Sequence, residues 1–147
     1  MSLGATHALA SGTELTSRLR AIAPARVRYA FEAVGSSTVL ESAIAATARG
    51  GTTVAIGIPG RGGEVKLSHT DLVAEGRSLR GAYMGSSVPQ RDVPRLLELW
   101  RAGRLPVERL FGTRLPLDRL PEALDALSAG SALRQIVTPG AAPILAT

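Results

Sequence analysis

At 147 residues, with 45% hydrophobic and 20% charged side chains, the chain has the size and composition of one globular domain able to bury a sizeable core. It contains no cysteine, which excludes disulfides, thiol nucleophiles and zinc sites built on thiolates. The net charge of +5 does not point to nucleic acid, because the arginines are scattered singly among Glu and Asp and aromatic residues are only 3%, too few for a stacking platform.

Apolar runs of strand length alternate with amphipathic stretches, the pattern of βα units and a parallel sheet. The first run, residues 5–10, is short, and a helical piece follows over 14–22, closed by Pro24. VRYAFEAVG, residues 27–35, is almost continuously apolar, as a parallel strand covered on both faces would be. A helix is predicted over 38–49: Thr38 and Glu41 have capping-box spacing, Val39, Leu40, Ala43, Ile44 and Thr47 share a face, and Gly50 suits the left-handed position after the helix. GTTVAIGI returns to the sheet and runs into a burst of glycines. Gly57, Gly60, Gly62 and Gly63 do not have the G-x-G-x-x-G spacing of a phosphate loop, and EVKLS, which follows, alternates like a strand instead of opening a helix. EVKLS and DLVAEG lead into SLRGAYMG, the last strand of the set.

Past Ser86 the rhythm changes. Asp92 is placed to cap a helix with Val93, Leu96, Leu97 and Trp100 on one face and Gly103 as its stop. LPLDRLPEALDALSAG repeats that design, with Asp118 as cap, Leu120, Ala123, Leu124 and Leu127 inward and Gly130 at the end. SALRQIVTP gives a final strand, and the patternless tail GAAPILAT is expected to be disordered or to lie along the surface. His7 and His69 stand far apart without acidic neighbours, so a metal site built by this chain alone is not expected. No apolar run has the length of a membrane span and nothing resembles a signal peptide, so no membrane partner is expected and the cytoplasm is the default compartment.

The phrases LGATHAL, YAFEAVG, GGTTVAIGIP, LRGAYMGS and RLPLDRLPEALDALSAGSALRQIVTP, in that order, resemble the C-terminal half of a zinc-dependent alcohol dehydrogenase of the medium-chain dehydrogenase/reductase superfamily. The resemblance covers nearly the whole chain, from about Leu3 to Pro139, and describes a truncated member. It implies an α/β fold: a partial Rossmann-like, doubly wound parallel sheet lacking its first two strands, followed by a C-terminal helical and strand segment. The implied organisation is a partial dinucleotide-binding domain over 1–85, a segment over 86–139 that in the family packs on the catalytic domain, and a tail over 140–147. Absent are the zinc-binding catalytic domain, the glycine fingerprint and the acidic residue that holds the adenosine ribose.

What remains, by resemblance, is the nicotinamide side of a pocket for NAD or NADP. Val34 and Gly35 would border the cofactor, Ile56, Gly57 and Ile58 would lie along the nicotinamide and its ribose, and Ala82, Tyr83 and Met84 would line the ring. Arg134 corresponds to an arginine that reaches the pyrophosphate in related enzymes. Each has a plainer alternative: Gly57 as a strand kink, Arg134 as a solvated surface residue, Tyr83 and Met84 as ordinary core. Glu32 is expected to be paired near the cofactor edge or to face a helix end. No residue is assigned a catalytic role, zinc belongs to the family but has no ligand set here, and GEVKLS matches the edge segment that pairs across the two-fold axis in dimeric relatives.

In the order 3-2-1-4-5-6, loss of the first two strands would leave the third roughly 14 Å from the fourth, so VRYAFEAVG gains an open edge. Residues 6–10 sliding in, two copies pairing edge to edge, or a swapped segment would each close it. A homo-oligomer, most simply a dimer, or a companion chain is therefore expected. The parent reaction is hydride transfer between an alcohol or aldehyde and the nicotinamide, with zinc polarising the oxygen. The chain alone is expected to be inactive. The alternatives are a non-catalytic oligomerisation or regulatory module, or a gene remnant.

Overall fold

Thr47–Ala55 forms the strand on which the N-terminal half of the chain is assembled. The computed structural model describes residues 3–140, which divide after Val88 into two compact units. The first contains α1 (Leu15–Ile22), β1 (Val27–Glu32), α2 (Ser37–Ala46), β2 (Thr47–Ala55), α3 (His69–Ala74) and β3 (Ser78–Gly81). Its three strands are all parallel, in the order β1-β2-β3, each reached through a helical crossover.

Register and strand alternation sort the side chains onto two faces. Ala30, Thr53 and Leu79 are neighbours across the sheet, as are Glu32, Ala55 and Gly81. Ala30 lines a cleft with Val39 and Ala43 of α2, and Thr53 and Leu79 line a hollow with Ile44 of α2 and Leu72 of α3, so the helices cover this face. The opposite face carries Tyr29 and Phe31, which remain 58% and 65% exposed. Among the described residues nothing covers this face of β1.

Under the helices two hydroxyls are buried together. Thr47 donates to the Ala43 carbonyl (2.8 Å), which leaves its oxygen to accept from Thr53 (2.7 Å). That bond ends α2 earlier than the periodicity suggested: Thr47 turns back onto the last helical turn and the backbone enters β2. Gly50 does adopt a left-handed conformation (φ +67°), but inside an irregular stretch of β2, where its N–H donates to the Glu75 carbonyl (2.7 Å). At its other end α2 is capped by Ser36 and not by Thr38, and Glu41 instead accepts from the Lys66 N–H (2.9 Å). That contact belongs to EVKLS, which has no strand partner and is irregular; residues 5–10 likewise form no strand beside β1.

The second unit contains α4 (Pro89–Arg101), β4 (Arg114–Pro116), α5 (Leu120–Ser128) and β5 (Ile136–Thr138). β4 and β5 pair in parallel, and Leu115 and Ala123 are the buried apolar side chains. The final strand lies where the sequence placed it. β4 was hidden in a stretch that reads as helix, because Pro116 and a 3₁₀ turn over Leu117–Arg119 delay α5; Asp118 sits in that turn and is not its cap. Asp92 is in the first turn of α4 instead of before it. Residues 141–147, expected as a tail, lie outside the described residues. No helix among the described residues is long and apolar enough to cross a membrane.

The paired hydroxyls predict non-additive energetics. Thr47→Val leaves Thr53 buried without its partner and should cost about 1–3 kcal/mol in urea unfolding, whereas adding Thr53→Val should recover part of that loss. In the second unit the only tryptophan, Trp100, donates its indole N–H to Glu108. Glu108's own backbone N–H and Trp100 together hold this carboxyl below the usual range. The bond is therefore present above the ordinary carboxylate range and lost as pH falls through the depressed value. Tryptophan emission should change there, and Glu108→Gln should remove the pH dependence.

Candidate functional site

The three parallel strands end side by side, and the turns that leave them form one edge of the first unit. Ile56 and Gly57 donate their N–H groups to the Glu32 carbonyl (2.8 and 3.1 Å), and Ala82 donates to that of Ala55 (2.9 Å). These bonds carry the sheet ladder one step past the strands. They bring together Val34, Gly35, Ile56, Gly57, Ile58, Ala82, Tyr83 and Met84 at the sheet's carboxyl edge, the place where open α/β sheets present ligand crevices. Arg134 belongs to the second unit; it is exposed, and its carbonyl lies where a side chain on Gly112 would have to go.

The edge is organised by Glu32, a side chain only 2% exposed. Its Oε1 accepts from the backbone N–H groups of Val34 (2.7 Å), Gly35 (2.7 Å) and Ser36 (3.4 Å), so it faces the start of α2. A helix N-terminus with free N–H groups is an anion site. Here the chain's own carboxylate takes the three N–H groups of the turn that leads into α2, which begins at Ser37. The sequence signal was an acidic residue ending an apolar strand, followed by glycine and two serines at a helix start.

Two glycines hold the loops at their closest approach. Gly35 has a left-handed backbone (φ +82°), and a Cβ there would come within 2.5 Å of the Ile58 carbonyl oxygen. A Cβ on Gly57 would lie 2.6 Å from the Gly35 Cα and 2.8 Å from the Val34 carbonyl carbon. Gly57 is thus needed for a backbone crossing within the chain, whatever else it borders. The later glycines make a turn, with Gly63 donating to Gly60 (3.2 Å) and Gly62 at φ +77°. After β3, Met84 (φ +48°), Gly85 (φ +63°) and Ser86 (φ +55°) are successively left-handed, a conformation that costs about 1–2 kcal/mol at each non-glycine position.

The side chains displayed on this edge are apolar and accessible: Ile58 is 70% and Tyr83 73% exposed, with Val34 and Met84 similar. Neither Tyr83 nor Met84 is core. With Glu32 committed to the backbone, the turns provide no nucleophile paired with a base. Among the described residues no group of three His, Cys, Asp or Glu side chains could hold a metal ion. The residues present therefore do not fit zinc, while the apolar rim fits the face of a planar ring.

Removing the Glu32 carboxylate should loosen the whole edge. Glu32→Gln, which keeps the shape but loses the charge, should cost about 1.5–3 kcal/mol in chemical unfolding, and Glu32→Ala more. Gly57→Ala should prevent the first unit from folding, read as lost secondary structure by circular dichroism, because both sides of the crossing are backbone.

Residues 1–102 match the family model described as zinc-binding dehydrogenase. A geraniol dehydrogenase from Castellaniella defragrans is 34% identical over 139 residues, 93% of this chain but 37% of that protein. An alcohol dehydrogenase class-3 from Drosophila melanogaster is 36% identical over 110 residues, 74% of this chain and 29% of that one. In three dimensions the chain is similar to benzyl alcohol dehydrogenase from Acinetobacter calcoaceticus, with a TM-score of 0.86 at 26% identity, covering 95% of this chain and 38% of the neighbour. The chain thus spans well under half the length of the relatives it matches. Its parallel α/β architecture is that of the Rossmann-like part of medium-chain dehydrogenases. The chain belongs to the zinc-binding dehydrogenase family.

Proposed function

We propose that the carboxyl edge of the first unit is the nicotinamide side of an NAD or NADP pocket, serving oxidoreduction between an alcohol and an aldehyde. The observation that carries this reading is the convergence of eight residues from three adjacent strand ends, with exposed apolar side chains among them. When bound, the cofactor supplies the hydride acceptor or donor. Val34, Ile56, Ile58, Tyr83 and Met84 offer the apolar surface that holds the ring and excludes water from it. Gly35 and Gly57 keep the supporting loops at a fixed separation.

The chain contributes binding and orientation, and no step is routed through zinc, for which it has no ligand set. Turnover requires metal ligands from another polypeptide segment, so the chain alone should bind cofactor without oxidising alcohols. We place it in the cytoplasm, acting with a second copy or a companion chain.

Titration of the purified chain with NADH and NADPH, followed by nicotinamide fluorescence, tests the cofactor reading. Saturable binding is expected. Ile58→Asp and Tyr83→Asp, at positions exposed enough to leave folding intact, should weaken it by about tenfold or more, while Val73→Asp, exposed on α3, should not. Absence of saturation at millimolar cofactor overturns the proposal, as does equal binding by all three variants.

A further inference from the structure

Arg77 stands just before β3, and its side chain is only 9% exposed. Two of its three side-chain nitrogens are committed. One terminal nitrogen donates to the Ile44 carbonyl (2.8 Å) in the last turn of α2, and the other pairs with Glu75 after α3. The third, Nε, is buried and meets no acceptor belonging to the chain. A buried charged donor without an acceptor is costly, and native structures supply one. The same residue lines a hollow of about 180 Å³ beneath α2 and α3.

The walls of this hollow come from residues 41–79. Ile44, Leu67, Leu72 and Leu79 make its apolar surface, Thr53 is 2% exposed, and Lys66 and Asp71 are open to solvent. Charge decides what it accepts. Glu75 already balances the Arg77 cation, and Glu41 and Asp71 both line the hollow. An entering anion would stand beside two carboxylates, and Lys66, the other cation on the walls, is exposed to water, where an ion pair contributes little. An entering cation would leave the Nε–H donor still without an acceptor. An uncharged oxygen meets the donor without either cost. Size limits the rest of the molecule: an apolar cavity of about 150 Å³ holds a benzene-sized body, so this hollow suits a single small ring.

The geometry points to a site for a small uncharged molecule with a carbonyl or hydroxyl oxygen on a compact apolar body. The oxygen accepts from Arg77 Nε and the body lies against Leu72 and Leu79. No chemical step is assigned to the site. It does not rest on the cofactor reading, because none of the eight residues at the carboxyl edge lines this hollow.

Cyclohexanone is the probe, having an acceptor oxygen, no donor, no charge and a ring of the right size. In the ¹H–¹⁵N spectrum of the full chain, the buried Arg77 Nε–H should give a resolved signal. Its loss in Arg77→Lys, which keeps the charge that Glu75 balances, assigns it. Titration with cyclohexanone, with no nucleotide present, should move that signal saturably, with half-saturation in roughly the millimolar range. Leu79→Trp, which fills the hollow, should weaken binding about tenfold or more, and cyclohexanecarboxylate should bind the unmodified chain more weakly by a similar factor. Val73→Ala, on α3 but outside the hollow, should change nothing.

An Arg77 signal that cyclohexanone leaves in place overturns the inference and makes water the acceptor. Tighter binding of cyclohexanecarboxylate also overturns it and makes the hollow an anion site. So does an unchanged titration in Leu79→Trp, which would put the ketone elsewhere. If Arg77→Lys does not fold, correlation of the Nε–H with the Arg77 backbone assigns the signal, and if Leu79→Trp does not fold, the two probes on the unmodified chain still decide.

Discussion

One buried carboxylate ties the first unit together. Glu32 sits where β1 ends, its side-chain oxygen collects the N–H groups that start α2, and its carbonyl collects those that end β2. Three segments are thereby fixed relative to one another by charge-assisted and ordinary hydrogen bonds that water cannot replace in a buried position. The glycine crossing of Gly35 and Gly57 depends on this arrangement, because two backbones at that distance need both loops held. The chemical character of the edge also depends on it. The turn into α2 spends its N–H groups on the chain's own carboxylate, and the turns display apolar side chains.

The carboxyl end of β1 supports the proposed ring-binding edge, and Tyr29 and Phe31 earlier in the strand are exposed among the described residues. The fully buried side chains of the first unit, Glu32, Thr47 and Thr53, are polar and satisfied by one another or by backbone. Such bonds give geometry more than they give net stability, which comes mainly from removing apolar area from water.

Strand and helix content in the first unit was legible because βα alternation leaves strong periodic signals. VRYAFE and GTTVAIG are rich in apolar and β-branched residues, and the helix around Ile44 has a clear face. Boundaries were less legible. Thr47 reads as the last helical position until its hydroxyl is seen to bond Ala43 and Thr53, a tertiary contact. EVKLS alternates like a strand, yet it lacks a neighbouring strand, and alternation without a ladder partner does not make one. β4 escaped notice because three residues next to a helix carry too little pattern of their own; only pairing with β5 defines it.

The sequence by itself determined the family, the parallel α/β plan and the set of residues that border the strand ends, because these follow from local periodicity and from five phrases in a fixed order. It also determined that no thiolate metal site exists, since composition alone decides that. Only the tertiary structure decided what Glu32 and Gly57 do. A carboxylate in an apolar strand is compatible with several partners, and a glycine with a kink or a close approach, until the segments that meet them are in place. It also decided which flank of β1 pairs with β2, because the direction of a backbone carbonyl depends on the strand it is bonded to and not on the residues of its own strand.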